Sequence, residues 1–313
     1  MKLVRLLPAV IAFSLVMIGP IYGVGTSDTN EVNIYSHRHY DTDKALYEKF
    51  EKQTGITVNV LQGKSDELIE RLSRESTESK ADILMTVDAG RLVRAQSMGL
   101  LQPVSSPVLR ENVPDHLRDT TGHWFGLTVR ARVVVYHPDR VSPNELSTYE
   151  DLTHPKWRGR ILVRSSSNIY NQSLLASIIA HNGHAEAEAW ASGIVANFSR
   201  TPQGNDRDQV KAVVAGEGDL ALVNTYYIGR LINSSDQYER EVGDQVRVFF
   251  PNQEGRGTHI NISVAAGTDS AKNYENALKL LEFLTSVEAQ NQFSATNFEY
   301  PVNPSVRPSP LLE

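Results

Sequence analysis

The segment Leu127 to His137 reads LTVRARVVVYH, eleven residues dominated by β-branched side chains. Strands of globular proteins usually span about 5–6 residues, so a run this long suits a strand that leaves one lobe and enters another. The rest of the chain supports two lobes, since 313 residues exceed the usual size of one domain. Runs rich in β-branched residues recur at Val32 to Ser36, Thr57 to Leu61, Ala81 to Val87, Arg160 to Arg164, Asp219 to Asn224, Val246 to Phe250 and Ile262 to Ala266. Segments of helical period lie between them. Helices are expected at Asp43 to Gln53, Asp66 to Arg74 capped by Ser65, Ala89 to Ser97, Ser173 to His181, Ala185 to Ala196, Asp206 to Ala215, and Ala271 to Phe283 continuing to about Phe293. This alternation predicts an α/β fold of two lobes, each a mainly parallel sheet flanked by helices and joined by crossover strands. A second crossing is expected near Thr258 to Gly267. Lobe 1 then comprises residues 28–128 plus about 258–300 and lobe 2 residues 131–257, with the tail 301–313 unassigned. Ligands of such sheets bind in the cleft at the carboxyl ends of the strands.

The first 25 residues read as a targeting signal. Lys2 and Arg5 precede an apolar run from Leu6 to Ile18, too short to span a bilayer, and Gly23 and Gly25 suggest cleavage near 23–27. A cleaved signal would export the mature chain.

Composition narrows the partners. A formal charge of -6 with 40% hydrophobic and 22% charged residues describes a folded soluble protein without the basic excess that nucleic acid requires. The absence of cysteine excludes disulfides, thiolate metal sites and thiol nucleophiles, so any metal is held by oxygen and nitrogen donors. Dinucleotide-fold, P-loop, zincin and serine-hydrolase motifs do not occur in the sequence. That weighs toward binding over catalysis.

Tyrosines mark the junctions where a cleft would lie. Tyr226 and Tyr227 leave the strand DLALVN, Tyr40 follows the strand VNIYS through Ser36-His37-Arg38-His39, and Tyr170 stands in SSSNIYNQS just before a second-lobe helix. Both phenols of the adjacent pair can meet one ligand only if the strand ends and turns there. Phenolate is a hard anionic oxygen suited to ferric iron, and a trivalent ion can displace the phenolic proton as metals do for water and thiols. The same rings could instead stack on a sugar or surround an organic cation.

The stretches VNIYSHRHYDTD, ADILMTVDAGRL, WFGLTVRARVVVY, LTHPKWRGRI and above all LVNTYYIGRL resemble the periplasmic ferric-iron-binding proteins, type II solute-binding proteins that feed ABC importers. The likeness runs from about Val32 to Asn303. It implies that Tyr226 and Tyr227 bind Fe(III), that Tyr40 and Tyr170 belong to the multi-tyrosine branch of ligands, and that His39 is a ligand or lies just behind one. Where another branch carries a glutamate ligand, this chain has Val87 with Asp88 beside it, which argues against a carboxylate ligand. Arg130 matches an arginine that lines the site and can support an anion or balance charge, while carbonate or water could complete the shell.

The resemblance thus implies an exported, monomeric, non-enzymatic Fe(III) carrier that stays in the periplasm, closes around the ion and delivers it to an ABC importer permease in the inner membrane. A polyamine or other organic-cation carrier of the same fold would need carboxylates where these tyrosines stand. A metal-dependent hydrolase or oxidase would need an open coordination position and a general base.

Overall fold

A computed structural model describes residues 30–312. The expected signal segment, residues 1–25, lies outside the described residues. The chain opens with β1 (Glu31–Ser36), α1 (Asp41–Thr54), β2 (Thr57–Gln62), α2 (Ser65–Glu75), β3 (Ile83–Thr86), α3 (Ala89–Ser97) and α4 (Pro107–Asn112). The long strand β4 (Phe125–Tyr136) follows, then β5 (Ile161–Leu162), α5 (Ile169–Asn182), α6 (His184–Ala196), α7 (Asp206–Val214) and β6 (Leu220–Asn224). Next come α8 (Tyr226–Ile232), α9 (Gln237–Asp244), β7 (Arg247–Phe249), β8 (Ile260–Gly267), α10 (Tyr274–Thr285), α11 (Val287–Gln292) and β9 (Tyr300–Pro301).

The strand β4 crosses between two sheets, as its length predicts. Its first half, Phe125 to Ala131, pairs with β8, and its second half, Arg132 to Tyr136, pairs with β6. Along the main path the strand order is β2-β1-β3-β8-β4-β6-β5. Parallel pairing joins β1 to β2, β1 to β3 and β5 to β6, whereas every pairing made by β4 or β8 is antiparallel. The sheets are therefore mixed rather than mainly parallel, because the crossover strands run against their neighbours. All twelve residues of β4 are buried, Arg130 and Arg132 included, and buried charge demands partners.

Local chemistry explains the element ends. Gly55 takes a left-handed φ of 73° and closes α1 with its N–H on the Glu51 carbonyl, a conformation that glycine adopts without a Cβ penalty. Ser65 does not cap α2: it is the first helical residue, and its Oγ lies 2.6 Å from His37 Nδ1 instead. The expected long C-terminal helix divides at Ser286, whose side chain accepts from Ala289 N and starts α11. Tyr170 sits inside the first turn of α5 rather than before the helix, since Asn168 takes the cap by accepting from Tyr170 N.

Helices α1 and α10 cover one face of the β1–β3–β8 sheet through Leu46, Phe50, Leu280 and Leu284, and α2 and α3 cover the other through Leu68, Leu72 and Leu92. A further pair of clusters, around Trp157 and Leu174 and around Val210 and Leu231, flanks the β4–β6–β5 sheet. A small cluster of Tyr40, Tyr226 and Phe298 bridges the halves. Helix α8 comes so near the Phe298 loop that a Cβ on Gly229 would lie 2.5 Å from Phe298 Cγ. Glycine there lets the tyrosine-bearing helix seat deeply.

Candidate metal centre

The strand β6 ends at Asn224, Thr225 turns to φ −50°, and α8 begins at Tyr226. The turn demanded by the adjacent tyrosines is thus present. In a helix neighbouring side chains diverge by about 100°, so both rings can face one space, and their centroids are 4.1 Å apart. Tyr40, the residue preceding α1, brings its hydroxyl to 3.4 Å from that of Tyr226, with the rings edge to face at 73°. Tyr170 reaches the same place from α5.

These four tyrosines, with His37, His39, Val87, Arg164, Arg207 and Arg230, border one cavity of about 430 Å³. Tyr40, Tyr170 and Tyr226 are 7%, 5% and 1% exposed. His39 is exposed and stacks on Tyr40 at 5.1 Å, its Nδ1 3.2 Å from the His37 carbonyl. Asp88 is turned away: its carboxylate accepts from Gly90 N and from Asn261 Nδ2. Among the described residues, the only acidic one on the cavity wall is Asp41.

Burial and the neighbouring Tyr170 push the Tyr40 and Tyr226 phenols well above their usual pKa, and burial pushes Tyr227 up to about 12. All three are therefore neutral phenols at pH 7 until a cation displaces their protons. Burial also drives His37 down to about 4, with His39 and Arg130 adding to the effect. Its imidazole is neutral at pH 7.

Beneath the tyrosines lies a charge network that sequence inspection did not anticipate beyond Arg130. Arg130 donates through Nε to Glu299 at 2.6 Å, through Nη1 to the Val87 carbonyl at 2.9 Å, and through Nη2 to Ser263 Oγ. Its guanidinium carbon is 5.6 Å from the centre of the Tyr226 ring and 5.9 Å from that of Tyr170. Arg38 donates to both oxygens of Asp43, to Ser263 and to Glu299. Burial alone would raise Glu299, but Arg38 and Arg130 hold it down at about 2. On the other side, Asp206 accepts from Arg132 at 2.6 Å, from Arg164 at 3.3 Å and from Asn224 N at 2.9 Å. Arg164 also stands 5.9 Å from the centre of the Tyr170 ring.

One signal could have revealed some of these groups. Arg164 closes an expected strand just as the tyrosines do, and Arg230 follows Tyr226 and Tyr227 by one helical turn. Arg230 lies over the Tyr40 ring at 5.9 Å. Glu299 offers no such clue, because its partners lie far away in sequence.

A two-lobed α/β protein with a polar cavity where the segments following β1, β3, β5 and β6 meet has the architecture of a solute binder. The sequence profile of the family described as bacterial extracellular solute-binding protein matches residues 45–313, and the chain belongs to that family. It is 53% identical to iron uptake protein A1 of Synechocystis over 88% of this chain and 76% of that protein. It is 29% identical to the major ferric iron-binding protein of Neisseria meningitidis, over 88% and 82%. Among solved structures, a Trichodesmium protein in complex with iron and citrate is 54% identical, with a TM-score of 0.85 over 90% of each chain. The ferric binding protein of Campylobacter jejuni is 46% identical, with a TM-score of 0.87 over 90% of this chain and 89% of that one.

Proposed function

We propose that this chain is a periplasmic Fe(III)-binding protein that captures the ion with Tyr40, Tyr170, Tyr226 and Tyr227 and delivers it to an ABC importer permease. It is a carrier rather than a catalyst, exported by a cleaved signal and monomeric. The observation that carries the reading is the meeting of phenols from two parts of the fold: Tyr40 at the start of α1, and Tyr170, Tyr226 and Tyr227 on the helices beyond the crossover. With lobe 1 taken as 28–128 plus about 258–300 and lobe 2 as 131–257, the ion joins the lobes and holds them closed. His39 stands at the rim as an added donor or a group behind the ligands, and the cavity has room for carbonate or water beside the ion. The names of the relatives, iron uptake and ferric iron-binding proteins, point the same way. An organic cation is disfavoured by a wall that, among the described residues, carries Arg164, Arg207 and Arg230 against the single acid Asp41.

Four phenolates exceed the charge of Fe(III) by one. Arg130 is already matched, since Arg38 and Arg130 face the two carboxylates of Asp43 and Glu299. Arg164 supplies the balance more directly: it and Arg132 share the single carboxylate of Asp206, leaving one cation in excess beside Tyr170. The test is small-angle scattering with and without Fe(III). The radius should shrink when the metal is added to an open metal-free form, and should not shrink when Tyr40 and Tyr226 are both phenylalanine.

A further inference from the structure

A second cavity of about 320 Å³, which shares Arg164 with the first, is lined by residues of α5 and α6. Its body is hydrocarbon, formed by Leu174, Leu175, Trp190, Ile194, Phe198 and Leu222. Of its lining residues only Ser166 and Val195 are exposed, so it is a recess and not a flat face. Sequence explains why it stays open. Helix α6 is rich in alanine, and Ala191 lines the recess where a larger side chain would fill it. The helix cannot slide to close the gap, because Gly193 already sits so near Thr153 that a Cβ there would lie 2.8 Å from Thr153 Cβ. Empty apolar space forfeits packing contacts, and apolar cavities of this kind take up apolar guests. Its volume falls at the lower end of small-ligand pockets, which are mostly apolar with a few polar groups that orient the guest.

Its polar lining comprises Ser166, Asn171 and Arg164, of which Arg164 carries charge. Arg164 donates only Nη1 to a side chain, Asp206, while no protein acceptor is found for its Nε and Nη2 among the described residues. The Arg132–Asp206–Arg164 cluster carries one positive charge in excess, and Arg132 is fully buried. An apolar recess ending on a cation with open donors is complementary to an anionic amphiphile.

We propose that this recess is a second ligand site, for a small monocarboxylate with an aliphatic or aryl-alkyl tail. The tail lies among Leu174, Trp190 and Phe198, and the carboxylate meets Arg164. The site is separate from the metal cavity, and the two share Arg164 as a common wall.

The test uses octanoate and metal-free protein at pH 7, followed by calorimetry and by tryptophan fluorescence. Binding should saturate at one equivalent. Affinity should rise about tenfold from hexanoate to octanoate, as two added methylenes are buried, and stop rising by dodecanoate once the recess is full. Octanol should bind at least about tenfold more weakly than octanoate, because it lacks the charge that Arg164 recognises. Ala191→Phe fills the recess and should weaken octanoate by about tenfold or more while Fe(III) binding is kept. If that variant fails to fold, the chain-length and octanol series on the native protein still decide. Absence of saturation up to about 10 mM octanoate, or equal binding of octanol, would overturn the proposal.

Discussion

Two buried arginine clusters flank the tyrosines, and they are built differently. On the β8 side, Arg38 and Arg130 meet Asp43 and Glu299 in equal number, with Thr128 and Ser263 accepting further hydrogen bonds. On the β6 side, Arg132 and Arg164 share one carboxylate, Asp206, while Asn171 and Asn224 accept further hydrogen bonds from Arg132, whose Nε has no partner among the described residues. The first cluster is neutral and sealed; the second carries a surplus cation whose outer member reaches the cavity. The difference separates support from tuning. A matched buried network fixes geometry and responds to damage as lost stability, whereas a surplus charge at a cavity wall acts on whatever anion forms there.

The largest expected effect is that of pH on iron affinity, and it sharpens the comparison because it acts through the phenols and not through either cluster. The phenols of Tyr40, Tyr226 and Tyr227 are raised in the metal-free protein, so they are protonated at neutral pH and each must lose a proton on binding. Affinity should therefore strengthen as pH rises toward those values and weaken as pH falls, by about 1.4 kcal/mol per pH unit for each phenolate formed. For Tyr227, with its pKa near 12, forming the phenolate at pH 7 costs about 7 kcal/mol before any metal bond is counted. Competition with a chelator between pH 6 and 8 measures the slope. A slope below one proton per ion would contradict phenolate ligation.

Next in size is Glu299→Gln, which leaves Arg38 and Arg130 with one carboxylate. Breaking a buried pair costs about 3–5 kcal/mol, so the melting temperature should fall by many degrees in both metal-free and iron-loaded protein. An unchanged melting temperature with weakened iron binding would assign the tuning role to the wrong cluster. Arg164→Gln should do the reverse. Asp206 keeps Arg132 as its partner, so stability should change little. Removing a charge that stands 5.9 Å from the centre of the Tyr170 ring should weaken Fe(III) binding by about 2 kcal/mol, or roughly thirtyfold, at an effective dielectric near 20 and with partial solvent screening. The smallest effect is expected for His39→Ala, since the ring is exposed and stacks on Tyr40 from outside. Iron affinity should change by less than about tenfold, with the colour of the complex retained.

Much of this was legible in the sequence because it rests on local chemistry. The length of the LTVRARVVVYH run announced the crossing strand, and tyrosines at strand ends announced the cavity. Pairing direction was not legible, because the composition of β4 and β8 says nothing about which neighbours they meet. Helices α4, α8 and α9 were missed; they are short, and α8 follows its strand with Thr225 as the only intervening residue. Glu299 escaped notice for a different reason: it is 261 residues from Arg38 and 169 from Arg130, and only the folded chain brings them together. Arg164 stood in plain view at a strand end, but its weight depends on counting the carboxylates around it.

The most direct test of the central claim is the visible spectrum of metal-free protein titrated with Fe(III), for the native chain and for Tyr226→Phe and Tyr227→Phe. The native protein should take up one equivalent and develop a phenolate-to-iron charge-transfer band. Each phenylalanine variant should fold, because the ring is kept, yet show a weaker or shifted band and a lower affinity. Native protein that binds iron without colour, or variants whose band and affinity match the native ones, would contradict the assignment of this strand end as the metal site.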